Sequence, residues 1–266
     1  MSIPKILYLG PPHSFHHLTA KCIFGEEASY HPVSTPEDIG SMLETSAYDY
    51  GVIAIENVLA GRVPDHLEVI VNHKLNVIKQ VITEVQLYIC GLPSMSIDQI
   101  KTIYSHPMAL QQCSNYLDKK GWKQNATSST SEALYQISIG NSQNEAAIGN
   151  KQAANEFNLQ VIDGPANNEL ENHTRFLVVA RKSDLSFRAT SECEFASLLY
   201  KGETKASLNL EALGMELINH WQLKGQVGIW LECRLTSNYN RQQAFVSDDK
   251  LQLIGFYEKA YKCADY

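Results

Sequence analysis

The sequence predicts an α/β protein with two parallel-sheet lobes and a smaller α+β domain behind them. Three observations carry that prediction. Up to residue 181, short apolar runs alternate with segments of helical period, as strands and helices do when sheets are parallel. The chain leaves a first lobe near residue 80 and returns near residue 156, which fits two sheets better than one. Beyond a polar, weakly patterned linker at 182–193, strand, helix, strand and strand fill 194–266.

Taken in order, KILYLG (5–10) is a buried strand stopped by glycine. Phe15, Leu18, Cys22 and Ile23 recur at intervals of three and four, giving a helix over 14–25 that ends at Gly25. SYHPV is a second strand. STPEDIGSML opens a helix with a hydroxyl cap, proline in the first turn and acids behind it. YGVIAIEN (50–57) is the next buried strand, with HLEVIVNHK as the helix after it. NVIKQVITEVQLYICGL (76–92) gives two lengths of strand around a chain crossing. A short helix, the strand TIYS (102–105) and a helix opened by His106 and Pro107 follow. Then come the strand NATS, the capped helix STSEALYQISIG, the strand AAIGN, the helix KQAANEFNL, the strand QVID and a last apolar strand over 175–180. In the tail, EFASLLY, VGIWLECRL and LQLIGFYEKA read as strands and LNLEALGMELINHW (208–221) as a helix.

The bulk numbers exclude several classes. At 266 residues, 44% hydrophobic and 19% charged, the chain can bury a sizeable core without staples. Its 22 basic and 29 acidic residues give a net charge of −7 with no long basic run, so nucleic acid is not the expected partner. No segment approaches the roughly 18 consecutive apolar residues of a membrane span, and the apolar part of the amino terminus is too short for a signal peptide. The six cysteines, Cys22, Cys90, Cys113, Cys193, Cys233 and Cys263, lie far apart with no CxxC pair. The expectation is reduced thiols in a cytoplasmic protein.

Ligands of open α/β sheets bind beyond the carboxyl ends of strands, where helices begin. Those junctions carry Ser14 after the first strand, Glu56 and Asn57 after the third, Ser105 with Gln112 a turn or two later, and Thr130 at a helix cap. Helix starts with free N–H groups favour anions. Arg175 stands at the mouth of the final apolar strand, directly after Thr174, and its fork matches a carboxylate. A small ligand with more than one carboxylate suits this set. Each residue also has a plainer reading. A hydroxyl at a helix start is usually a cap. Arg175 could equally form a structural ion pair with Glu169, Glu171 or another acid, which would count against a ligand role. His13, His16 and His17 have metal-like spacing, but no carboxylate or cysteine completes a set.

Over residues 5–181 the chain resembles the prephenate dehydratase family. The resemblance rests on GPPHSF (10–15), AIENVLAG (54–61), SHPMALQQC (105–113), STSEA (129–133) and above all NHTRF (172–176), in that order. It implies two lobes like those of periplasmic binding proteins, with a cleft between them, over a domain at 1–181. Lobe one would take about 1–79 and 156–181, and lobe two 80–155. It implies conversion of prephenate to phenylpyruvate, water and carbon dioxide. Thr174 would meet the leaving hydroxyl, and Arg175 would help hold a carboxylate. Ser14, Glu56, Asn57, Ser105, Gln112 and Thr130 would complete the cradle, with Phe176 packed beneath. No metal or organic cofactor is implied.

The departures are specific. His13 stands where the family usually has glycine, Ser14 replaces a frequent threonine, and Val58 stands where a hydroxyl is usual. A side chain at 13 would strain a turn that needs positive φ. The tail resembles a shortened ACT domain. KASLNLEAL replaces the usual glycine-alanine-leucine helix start, and LECRLTS replaces a glutamate-serine-arginine-proline segment. The expectation is weak or missing phenylalanine feedback and a homodimer or higher homo-oligomer. No chorismate mutase segment is expected, since nothing precedes the first strand. Two other outcomes stay open: a prephenate decarboxylase that does not aromatise, and a non-catalytic small-molecule binder on the same scaffold.

Overall fold

A computed structural model of the chain describes residues 3–181, 190–201, 208–223, 228–241, 245 and 250–263. The first elements are β1 (Lys5–Leu9), α1 (Phe15–Phe24), β2 (Ser29–Val33), α2 (Pro36–Glu44), β3 (Tyr50–Asn57), β4 (Gly61–Arg62), α3 (Pro64–Asn72) and β5 (Leu75–Glu84). There follow β6 (Tyr88–Gly91), β7 (Thr102–Ser105), α4 (Pro107–Gln112), α5 (Ser114–Lys120), β8 (Lys123–Ala126), α6 (Thr130–Ile139), β9 (Glu145–Gly149), α7 (Lys151–Glu156), β10 (Gln160–Asp163) and β11 (His173–Arg181). The tail adds β12 (Phe195–Tyr200), β13 (Met215–Gln222), β14 (Ile229–Leu235), β15 (Leu251–Tyr257) and β16 (Tyr261–Cys263).

By its contacts the chain forms two compact units. One takes the chain to Leu9, then Thr19–Ile82 and Arg175–Cys263; the other takes Gly10–Leu18 and Thr83–Thr174. The first unit holds a sheet in the order β16-β5-β11-β3-β1-β2, with β4 on β3. Residues 51–55 of β3 and 176–180 of β11 form unbroken buried runs, as expected of strands covered on both faces. α2 begins as its sequence demands: Thr35 and Asp38 exchange side-chain and backbone hydrogen bonds in a capping box.

The second unit holds the sheet β10-β6-β9-β7-β8. Here the all-parallel expectation is corrected. β7 runs parallel to β8 and β9, but β6 is antiparallel to both β9 and β10. β10, expected with the first lobe, belongs to this sheet.

Among the described residues the tail forms a four-stranded antiparallel sheet, β13-β14-β12-β15. The helix expected over 208–221 is absent. A 3₁₀ turn at Glu211–Leu213 ends on Gly214 at φ 70, and β13 follows at once. Leu210, Leu213, Leu217 and Trp221 have helical spacing, but Gly214 lies in left-handed space and a Cβ there would sit 2.6 Å from the Tyr239 backbone. One face of this sheet packs Ala196, Leu198, Leu231 and Cys233 against Leu210 and Tyr239. The other face sends Leu199, Trp221, Trp230, Ile254 and Tyr257 into the core of the first sheet, with Leu7, Ile53, Val77 and Leu177. The approach is close: a Cβ on Gly255 would meet the Val77 carbonyl oxygen at 1.9 Å.

The cysteine expectation is also corrected. Cys22 and Cys263 form a disulfide across a Cα separation of 6.2 Å, while Cys90, Cys113, Cys193 and Cys233 are free and buried. β16 adds an edge strand to β5 and so carries Cys263 into the unit that holds Cys22. The two are 241 residues apart, and no spacing rule links them. No helix among the described residues is long and apolar enough to cross a membrane.

Candidate active site

In the second unit, several strand-to-helix junctions come together around the turn after β1. His13 adopts φ 65, so the side chain does occupy a left-handed position. Neighbours compensate. Its N–H donates to Nδ1 of His17 at 3.0 Å, its carbonyl accepts from Nδ2 of Asn150 at 3.1 Å, and its ring meets Phe157 edge-on at 5.0 Å. Asn150 also caps α7 through the N–H of Ala153 at 2.7 Å. The Ser131 hydroxyl donates to the Pro12 carbonyl at 2.5 Å, which joins the first turn of α6 to the same loop. Ser14 accepts from the His17 N–H at 3.4 Å, in the manner of a cap for α1.

The remaining predicted residues of this unit are placed as follows. Ser105 is buried at the end of β7 and donates to the Ile148 carbonyl at 2.8 Å, so its proton is committed to the neighbouring strand. Thr130 is the first residue of α6, and Ser129 is the cap, accepting from Glu132 at 3.0 Å. Gln112 ends α4, and its Oε1 accepts from Nδ2 of the buried Asn172 at 3.2 Å. That bond turns the donor end of the Gln112 amide away from Asn172. Thr174 is the second residue of β11 and half-buried.

The others lie in the first unit, which begins again at Arg175. Asn57 closes the β3–β4 turn: its Oδ1 accepts from the N–H groups of Leu59 at 3.0 Å and Ala60 at 2.8 Å. Phe176 is buried in β11. Arg175 has the internal acid partners that count against a ligand role, though they are neither Glu169 nor Glu171. Its Nη1 donates to Oε2 of Glu232 at 2.8 Å, and its Nη2 lies 3.5 Å from Oε2 of Glu56. Glu56 is shared with Nε of Arg62, also at 3.5 Å. The Trp221 ring stacks beneath both cations, 5.3 Å from Arg175 and 4.8 Å from Arg62. Glu232, mid-strand in β14, has its carboxyl pKa raised, first by burial, which Arg175 opposes, with Glu56 adding to the rise.

Sequence reasoning missed Ser131, Asn150, Asn172 and Glu232. The first three stand at junctions or inside quoted motifs, so the rule that found their neighbours could have found them. Glu232 carried one signal, a lone acid in the apolar run of VGIWLECRL, which demands a cation. Among the described residues no cluster of His, Cys, Asp or Glu has the arrangement of a metal site. A groove of about 650 Å³ on the tail sheet, lined by Leu208, Glu211, Met215 and Leu217 among others, contains none of the predicted site residues.

Comparison with known proteins follows the same segments. The sequence profile of prephenate dehydratase matches residues 6–184. A bifunctional chorismate mutase/prephenate dehydratase from Enterobacter agglomerans is 32% identical over 187 residues, covering 67% of this chain and 47% of its own. A prephenate dehydratase from Methanocaldococcus jannaschii is 31% identical over 133 residues, covering 50% of this chain and 48% of its own. The chain thus spans about half the length of the curated relatives it matches. In structure it is similar to a prephenate dehydratase from Arthrobacter aurescens, solved with L-Phe, at TM-score 0.80 and 18% identity over 96% of this chain and 90% of that one. It is also similar to a quorum-quenching acylase, at TM-score 0.79 and 17% identity over 96% and 97% of the two chains. Likeness at that identity is one of fold, which reaches through the tail sheet but does not choose between reactions.

Proposed function

The chain belongs to the prephenate dehydratase family, and from that premise we propose that it converts prephenate to phenylpyruvate, water and carbon dioxide on the way to phenylalanine. The observation that carries the reading is the bond from Asn172 to Gln112, which ties the NHTRF segment to the SHPMALQQC segment inside one unit. An isolated motif match would not require the two to meet.

In this reaction the ring carboxylate leaves as carbon dioxide. Its electron pair enters the ring, and the hydroxyl across the ring departs with a proton as water. The substrate is poised to aromatise, so orientation and a donor at the leaving oxygen suffice. Thr174 would supply that donor. Gln112, with its acceptor end held by Asn172, would present N–H to the substrate. Arg175 would take a carboxylate, with Ser14, Glu56, Asn57, Ser105 and Thr130 shaping the surroundings and Phe176 fixing the strand beneath. A cytoplasmic setting is carried over from the family alone, because the Cys22–Cys263 disulfide removes the thiol argument for it. The expected assembly is a homodimer, for which the edge strand β13, with Leu217 and Ile218 exposed, is the surface we favour.

The test follows phenylpyruvate by its absorbance in alkali, together with carbon dioxide release. Equal amounts of both are expected. Carbon dioxide without an aromatic product would make the protein a decarboxylase, and binding without either product would make it a non-catalytic binder. Thr174→Ala should lower kcat by about 10²–10⁴-fold with binding of phenylpyruvate little changed. Unchanged turnover would remove Thr174 from the mechanism.

A further inference from the structure

Glu232 and Glu56 flank one guanidinium but are not equivalent. The Glu232 side chain is 5% exposed and bonds Nη1 at 2.8 Å; the Glu56 side chain is 30% exposed and stands 3.5 Å from Nη2. An arginine carries its donors in a rigid planar fork and grips a carboxylate through two parallel N–H bonds along one edge. In Arg175 the Nε and Nη2 atoms, which form one such edge, are buried and make no hydrogen bond among the described residues. Only Nη1 is hydrogen-bonded, and Nη2 has the Glu56 carboxylate at ion-pair distance, 3.5 Å. The plane of the fork is set by Trp221 on one side and by Glu232 at its tip.

We propose that Glu232 of the tail sheet is a positioning residue for Arg175, fixing Nη1 so that the Nε–Nη2 edge takes a substrate carboxylate in place of Glu56. Glu56 can leave because it is partly exposed and keeps Arg62 as its partner. Glu232 cannot leave without stranding a charge among apolar side chains. Glu56 remains with Arg62, and the incoming carboxylate joins Glu232 around Arg175, so the cluster of two guanidiniums takes on the one negative charge that the ligand brings. The tail sheet thereby becomes part of the substrate-binding apparatus.

This inference rests on the dehydratase reading, and steady-state kinetics of the full chain with prephenate separate the two. Glu232→Gln keeps the shape and loses the fixed charge. It should raise KM by about tenfold or more while kcat changes by less than about threefold. Glu56→Gln removes the competing carboxylate and should lower KM by about threefold. A purely structural role would reduce the folded fraction and the apparent kcat, and would not move KM in opposite directions. Unmoved KM in Glu232→Gln, or unchanged or raised KM in Glu56→Gln, overturns the inference. Should Glu232→Gln fail to fold, Glu56→Gln decides alone, by the same rule. A wild-type chain inert toward prephenate overturns the dehydratase reading itself, whereas an active one whose variants keep their KM overturns only this inference.

Discussion

The turn at 10–14 and the arginine at 175 are both polar features at the ends of buried strands, yet they are held in different ways. The turn is held by neutral groups at helix starts: Ser131 takes the Pro12 carbonyl and Asn150 takes that of His13. Arg175 is held by acids, one at the end of β3 and one in the middle of β14. Neutral partners at junctions give a rigid loop at modest energy per bond. A buried ion pair adds little net stability but fixes a direction, because losing either partner strands the other. The difference suggests that the second unit owes its shape to its own junctions, while the first owes the aim of its arginine to the tail sheet.

The sharpest way to break that comparison is to push the tail sheet off its support. Gly255 has no room for a side chain, since a Cβ would meet the backbone of Val77, which cannot swing aside. Gly255→Ala should destabilise the first unit by about 3 kcal/mol, read as a fall in the thermal midpoint. Prephenate turnover should fall with it at temperatures where the second unit is still folded. If the tail sheet separates while turnover persists, the arginine does not need it.

A smaller effect is expected on the other side. Ser131→Ala removes the hydroxyl that holds the Pro12 carbonyl and leaves that carbonyl short of a partner, a loss of about 1–2 kcal/mol. Because His13 already sits at φ 65, the loop has little slack, and KM for prephenate should rise without a change in the Arg175 cluster. A chemical shift map confined to residues near 10–14, 131 and 150 is the expected result. Shifts reaching Trp221 would blur the distinction between the two regions.

What the sequence revealed follows the same division. Strands such as β3, which spans the expected 50–57, were legible because a run of apolar residues with polar ends has one reading. Junction residues such as Ser14 and Thr130 were legible because strand ends and helix caps are local signals. β13 was not, because leucines at helical spacing mislead when a left-handed glycine interrupts them. The disulfide and the Arg175–Glu232 pair were hidden for a common reason. Each joins residues far apart in sequence through strand pairing and sheet packing in the tail, and local patterns do not encode such partners.

A second cation stands between two acids near the surface of the first unit. The His73 ring lies between Glu37 at 2.6 Å and Glu44 at 2.9 Å, and its side chain is 13% exposed while the two carboxylates are well exposed. Burial pushes its pKa down, but the two carboxylates more than offset that, leaving it above the ordinary histidine value. With the folded pKa raised, the stabilisation is fully present below the unfolded value near about 6.5 and is lost as pH rises through the folded one. Stability should therefore drop modestly from pH 6 toward pH 8, by less than about 1 kcal/mol, and His73→Gln should flatten that slope. Added salt should weaken the His73 contribution, because its acids face solvent, and leave the Glu232 effect on KM largely intact. Equal salt sensitivity in the two would mean that Glu232 is reached by water and holds Arg175 no more firmly than a surface pair holds a histidine.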